Sequence, residues 1–204
     1  MNDNYLQPPP ISVGDLAEFG RQFDEHRARL LAMLKRRIDP RLQGRLDPDD
    51  ILQETFIGAQ RKWKTFLEKQ SVSTYAWLYR IALDCLIEQY RKATRSPRDL
   101  RREVTWPEES EVALVMGLVD TGTRPSEAAL RHEVKRRMEH ALGLLPVSDR
   151  EILWMRHFDQ LSYQEIADVL GITRNATGVR YVRSIERLRR FWQDSSFCGE
   201  TMNE

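Results

Sequence analysis

Apolar residues recur at helical spacing early in the chain. They stand at Phe19, Phe23, Leu30 and Leu34, at intervals of four, seven and four. This spacing keeps them on one helical face, as in a helix that packs against a core. Pro40 ends this first helix, because the residue before a proline disfavours helical backbone.

Two further helices are predicted in the first half of the chain. Asp47 is an N-cap candidate and Pro48 suits the first helical position, so a helix is expected from there to about Phe66. Another should start near Thr74 and continue to the basic residue Lys92.

Beyond residue 94 the periodicity breaks and then returns. Prolines and glycines interrupt the next thirty or so residues, whereas a helical pattern resumes later with breaks at Pro146 and Gly171. Alternating β-branched runs are absent, so the sequence predicts an all-α protein with two small helical domains joined by a linker. The predicted divisions are an arm at 1–12, a first domain at 13–94, a linker at 95–126, a second domain at 127–192 and a tail at 193–204.

The most specific motif is a helix-turn-helix in the second domain. Ser162 and Glu165 have the spacing of a capping box, which starts a helix at Tyr163. Gly171 can adopt the left-handed conformation of a tight turn, and Thr173 can cap the next helix. In DNA-binding folds of this kind the second helix enters the major groove.

That second helix carries a cationic stripe. Arg180, Arg183, Arg187 and Arg190 repeat at three, four and three, opposite an apolar face, and Glu186 is the one acid near them in sequence. A purely solvated face is the alternative, but such faces usually mix charge signs. DNA binding is therefore preferred, and the candidate contact residues are Arg174, Asn175, Thr177, Val179, Arg180, Arg183 and Arg187.

An acidic face and an aromatic segment stand out in the first domain. Asp50 and Glu54 lie four apart with Gln53 beside them, and a docking surface for a basic partner is preferred over a solvated face or a metal site. Further on, Tyr75 and the polar loop 68–74 are candidates for holding single-stranded DNA, since aromatic rings stack on unpaired bases.

Overall composition restricts the function classes. The chain has 32 basic and 31 acidic residues, so its net charge of +1 does not by itself indicate nucleic acid. Cys85 and Cys198 form no zinc or disulfide pattern, and no membrane span or signal peptide is visible. A cytoplasmic protein without metal, cofactor or membrane contact is expected. The four histidines are scattered, which makes an enzyme such as a metal-dependent nuclease a weak hypothesis.

Both domains resemble the extracytoplasmic-function (ECF) sigma factors of bacteria. Residues 49–56 (DDILQETF) and 77–82 (WLYRIA) resemble region 2 of that family. Residues 145–151, 161–167 and 171–172 resemble region 4. The resemblance implies a non-catalytic protein that gives RNA polymerase promoter recognition and DNA melting.

The resemblance also implies roles for particular residues. Asp50, Gln53 and Glu54 would contact the beta-prime coiled coil of core RNA polymerase. Region 4 would read the minus-thirty-five element of promoter DNA and touch the beta flap, and an anti-sigma factor is a possible regulator. The residues expected to serve the minus-ten element and melting are Lys69, Ser73, Thr74, Tyr75, Arg80, Arg91 and Lys92.

Two points limit what can be transferred from the family. Gly178 stands where many relatives have lysine or arginine, and residues 73–76 depart from the usual aromatic or arginine, so promoter specificity cannot be copied. The runner-up hypothesis is a helix-turn-helix repressor or activator that acts without stable polymerase binding. It accounts for the second domain only.

Overall fold

The protein is a bundle of α-helices. A computed structural model describes residues 13–39, 42, 44–69, 71–93, 136–138 and 140–197. No β-strand occurs in these residues, which confirms the all-α prediction. The predicted arm at 1–12 and linker at 95–126 lie outside the described residues.

Within the described residues, seven α-helical segments follow one another. The first module consists of α1 (Val13–Arg37), α2 (Pro48–Lys69) and α3 (Thr74–Ala93). The second module consists of α4 (136–138 and 140–144), α5 (Val147–His157), α6 (Tyr163–Leu170) and α7 (Arg174–Phe197).

The first module packs around the apolar face predicted for α1. Phe19, Leu30 and Leu34 are buried there, as their spacing in the sequence predicted. Aromatic rings fill the space between α2 and α3, where Phe66 stacks on Trp77 with ring centroids 4.3 Å apart. Packed aromatic pairs of this kind stabilise a core beyond the area that they bury.

Helix starts in the first module follow the local signals. The Asp47 side chain accepts a hydrogen bond from the backbone N–H of Asp49 at 2.8 Å, as expected of an N-cap. Ser73 does the same for α3, where its hydroxyl accepts from Ala76 N–H at 3.2 Å. The helix α2 ends at Lys69, three residues beyond the predicted Phe66.

The second module contains the predicted helix-turn-helix, formed by α6 and α7. Both hydrogen bonds of the capping box between Ser162 and Glu165 are present, and Gly171 has a φ of 67°. Thr173 caps α7 through Ala176 N–H. The helix α7 runs to Phe197 instead of ending at Trp192, so the segment predicted as a tail from residue 193 begins as helix.

The two modules touch each other in this structure, with α3 packed against α6. Ion pairs between α1 and the second module reinforce this contact. Among the described helices, none combines the length and apolar character needed to cross a membrane.

Candidate nucleic-acid interface

The exposed side of α7 forms a cationic groove. Val179, Arg180, Arg183 and Arg187 line it together with Asp149 from α5. Val179 is about half exposed, at 51%, which makes its methyl groups accessible to a partner. The structure therefore brings four of the seven residues predicted for the minus-thirty-five element onto one surface. Arg174 and Asn175 are exposed in the first turn of the same helix.

Asp149 is a functional candidate that the sequence did not reveal. Its carboxylate is buried and accepts a hydrogen bond from the Arg187 guanidinium at 2.5 Å. The two residues are 38 positions apart, so no local pattern could have paired them. Because this carboxylate neutralises Arg187, the arginine stripe has less free positive charge than the α7 sequence suggests.

Thr177 has to be removed from the predicted DNA contacts. It is fully buried, and its hydroxyl donates to the backbone carbonyl of Thr173 at 3.1 Å. This bond to the preceding turn satisfies the hydroxyl within the helix. The prediction was wrong because Thr177 lies on the inward side of α7, whereas Val179 lies on the outward side.

The predicted acidic face lies on the opposite module. Asp50, Gln53 and Glu54 are all exposed on α2 and line a shallow groove. The groove also includes Ile57, which is 48% exposed, and Gln89, whose side chain donates to Glu54 at 2.5 Å. Carboxylates beside an exposed isoleucine are suited to a partner surface that is both basic and apolar.

The residues predicted for the minus-ten element do not form one cluster. Lys69, Ser73 and Thr74 lie around the start of α3. Arg91 and Lys92 stand at its other end, which at 1.5 Å per residue is roughly 25 Å away. Arg80 lies between them and is exposed.

Tyr75, the preferred base-stacking candidate, is buried in this arrangement. It is 3% exposed, and the Arg29 guanidinium lies 3.7 Å from its ring centroid. Burial is the main cause that raises the pKa of Tyr75 to about 12, with Asp159 and Glu165 of the second module also contributing and Arg29 opposing. Its ring cannot stack on a base until these neighbours move.

No group of three or more potential metal ligands occurs among the described residues. Asp50 and Glu54 therefore belong to no such group, although Asp47 lines the same groove. Two carboxylates alone rarely hold a cation that prefers six or more oxygen ligands.

The fold and these surfaces define an all-α protein with a capped helix-turn-helix, a motif typical of DNA-binding proteins, and a separate helix that carries an exposed acidic groove. Two family models match the chain in the same order. The model for Sigma-70 region 2 matches residues 22–96, and the model for Sigma-70 region 4 matches residues 135–188.

Individual relatives extend this result. The chain is 30% identical to the ECF RNA polymerase sigma factor SigW of Bacillus subtilis over 148 residues, which cover 72% of this chain and 76% of SigW. It is 25% identical to the ECF RNA polymerase sigma-E factor of Haemophilus influenzae over 178 residues, 87% of this chain and 89% of the relative. A solved structure of CnrH with the cytosolic domain of CnrY has a similar fold, with a TM-score of 0.50, 22% identity and coverage of 89% and 91%.

The chain belongs to the ECF-type sigma factors of the sigma-70 family. It directs transcription initiation. A repressor or activator built only on a helix-turn-helix would explain the match to region 4 and leave the match to region 2 without a reason.

Proposed function

We propose that this sigma factor binds core RNA polymerase through the acidic groove of α2 and reads promoter DNA through α7. The observation that carries the proposal is the separation of charge between two exposed surfaces. Carboxylates are concentrated around Asp50 and Glu54, and arginine charge is concentrated around Arg180 and Arg183. Each surface suits a partner of the opposite sign.

On the polymerase side, Asp50, Gln53 and Glu54 would contact a basic segment, for which the beta-prime coiled coil is the expected partner. Ile57 adds apolar contact area to that surface. Gln89 holds Glu54 in position from the neighbouring helix, and so preorganises one of the two carboxylates. The beta flap is the expected contact of the second module.

On the DNA side, α7 would enter the major groove with its N-terminal half at the minus-thirty-five element. Arg174, Asn175 and Val179 are placed to reach base edges, and Val179 suits the methyl group of thymine. Arg180 and Arg183 would contact base edges or phosphates. Lys69, Ser73 and Tyr75 would serve the minus-ten element, and Arg80, Arg91 and Lys92 would hold the adjacent backbone.

The protein would need no catalytic residue of its own, because the polymerase performs the chemistry. Its place of action would be the bacterial cytoplasm, where transcription occurs. An anti-sigma factor is a reasonable regulator of such a protein. The solved CnrH structure contains the cytosolic domain of a second protein, CnrY, and a comparable partner for this chain is part of the proposal.

The test is reconstituted transcription with purified core polymerase. Replacing both acidic residues (Asp50→Ala with Glu54→Ala) should weaken core binding at least tenfold, a loss of about 1.4 kcal/mol, because two charges of the docking surface are removed. Run-off transcription should fall in parallel, and binding is measured by fluorescence anisotropy or pull-down.

A matched control exists on the neighbouring helix. Asp84 and Glu88 are also exposed carboxylates four residues apart, on α3. The double variant Asp84→Ala with Glu88→Ala should bind core polymerase as the wild type does. Equal core affinity for both double variants would contradict the assignment of the acidic groove.

A further inference from the structure

A cluster of charged side chains joins the two modules. Arg37 at the end of α1 is buried and makes ion pairs with Asp159 and Glu151 of the second module, both at 3.1 Å. Tyr79 of α3 accepts from Arg37 at 2.7 Å and donates to Asp159 at 2.6 Å. Arg36 adds a second ion pair to Asp159 at 3.0 Å.

A second contact lies nearer to the helix-turn-helix. Arg29 of α1 donates to Glu165 at 2.8 Å, and Glu165 is also the acidic partner of the Ser162 capping box. Burial by itself would raise the pKa of Glu165, but hydrogen bonds from Arg29 and Ser162 hold it below its usual value. We call Arg29, Arg36, Arg37, Tyr79, Glu151, Asp159 and Glu165 together the interdomain clasp.

The interdomain clasp covers Tyr75, the residue preferred for stacking on an unpaired base, whereas Lys69, Arg80, Arg91 and Lys92 stay exposed. Arg29, held by Glu165, lies over the ring of Tyr75. The backbone N–H of Ser73 donates to Asp168 of α6 at 3.1 Å. The start of α3, which should meet single-stranded DNA, is therefore in contact with the scaffold of the helix-turn-helix.

This arrangement is incompatible with a promoter-bound state. The two promoter elements are named for positions about 25 base pairs apart, which is roughly 85 Å along B-DNA at 3.4 Å per base pair. In the structure Ser73 is in contact with α6, and α7 begins only a few residues after that helix. One chain cannot reach both elements while the modules are in contact.

We propose that the second module docks on the first through the interdomain clasp in the free protein, and that this docked state withholds Tyr75 from DNA and keeps the two promoter-binding surfaces too close together to be used at once until it opens. The proposal rests on the proposed function for the identity of the surfaces that are withheld. The docking itself depends only on the contacts of the clasp.

Charged contacts suit a reversible interface. Removing charges from water is costly, so a buried ion pair adds little net stability although it favours one geometry. When the modules separate, Arg37, Asp159 and Glu151 all regain water, which offsets much of the lost attraction. A single substitution is different, because it leaves a partner charge buried without its counterion.

The first experiment measures the distance between the modules in the full chain. Fluorescent labels are placed on Lys64→Cys in α2 and Gln193→Cys in α7, in a background with Cys85→Ser and Cys198→Ser. Energy transfer between the two labels reports on docking.

The labelled chain with an intact clasp should give one short-distance population. Neutralising it with Asp159→Asn and Glu165→Gln should shift the chain to longer distances, while the control Glu186→Gln should not. The proposal would be overturned by a long distance between the labels in the chain with an intact clasp, or by an unchanged distance in the double variant.

A second pair of cysteines avoids relying on variants that weaken the clasp. Ser73→Cys with Asp168→Cys, in the same cysteine-free background, should form a disulfide that locks the docked state. The locked protein should fail to start transcription with core polymerase, and reduction of the same sample should raise transcription to the level of the single variant Ser73→Cys, which cannot form the disulfide. Equal transcription before and after reduction of a fully formed disulfide would contradict the inhibitory role of docking.

Failure of docking and failure of the proposed sigma-factor function can be told apart by these experiments. The distance measurement needs neither polymerase nor DNA, so it tests docking even if core polymerase does not bind the chain. For a binding site masked in about ninety-nine of a hundred molecules, opening raises the apparent affinity about a hundredfold. Single-stranded minus-ten DNA should therefore bind the opened double variant up to about a hundredfold more tightly than the wild type. An unchanged affinity in a demonstrably opened chain would refute masking.

Discussion

Arg37 on α1 and Arg183 on α7 carry the same guanidinium group in opposite surroundings. The side chain of Arg37 is 5% exposed and meets two carboxylates and a tyrosine hydroxyl from the protein itself. Arg183 is exposed and lines an open groove. Burial alone would lower the pKa of Arg37, but Glu151, Tyr79 and Asp159 raise it well above the ordinary value. A count of arginines cannot distinguish a structural charge from one available to DNA.

The difference shows what each arginine can contribute. A buried, fully paired guanidinium has no free donor for a phosphate, and its removal leaves carboxylates without a counterion. An exposed guanidinium contributes little to stability but can replace counterions along DNA. Arg187 lies between these cases, since it is partly exposed yet paired with Asp149.

The largest effect is expected from removing the buried arginine. Arg37→Ala leaves Glu151 and Asp159 at the interface with Arg36 as the remaining cation, and should destabilise the protein by about 3 kcal/mol. For a chain of this size that corresponds to a fall in Tm of roughly 6–12 °C, measured by circular dichroism. The control Arg21→Ala removes an exposed arginine from the same helix and should change stability by less than about 0.5 kcal/mol. Matching Tm values for the two variants would show that Arg37 is not held as described.

A smaller effect, in a different measurement, is expected from the exposed arginine. Arg183→Ala should leave Tm unchanged but lower affinity for minus-thirty-five DNA by about 1–3 kcal/mol if it reads a base. Fluorescence anisotropy with a labelled duplex measures this, and Arg21→Ala again serves as the control. Unchanged affinity would remove Arg183 from the DNA-binding surface.

The smallest effect concerns the paired arginine. Asp149→Asn removes the charge that neutralises Arg187, so one more cation becomes available to phosphates. Binding to DNA of mixed sequence should depend more steeply on salt, by about 0.9 in the slope of log affinity against log salt concentration. Asp194→Asn, which removes an exposed carboxylate near the end of α7, should change the slope less. A slope equal to that of wild type would mean that Arg187 already contacts DNA despite its ion pair.

Much of the second module could be predicted from local sequence. The capping box of Ser162 and Glu165, the left-handed turn at Gly171 and the cap at Thr173 all depend on residues within one turn of each other. Thr177 could not be placed in the same way. Its neighbours in sequence are compatible with either side of α7, and only the packing of α7 shows that it faces inward.

The candidate site was predicted less completely than the fold. Asp50, Gln53 and Glu54 lie on the exposed face that their spacing indicated, because i and i+4 residues share a helical side. Ile57 and Gln89 were missed as members of the same groove, since one is an ordinary apolar residue and the other belongs to a different helix. Exposure, and not residue type, marks them as candidates.

The sequence by itself determined the helices, their caps, the helix-turn-helix and the family, because each of these is encoded by residues within a few turns or by motifs in a set order. Only the tertiary structure decided which charges remain available. Arg37 and Asp159 are 122 positions apart, and Arg187 and Asp149 are 38 apart. The state of an ionised side chain depends on what surrounds it in space, and these partners come from helices that meet only when the chain is folded.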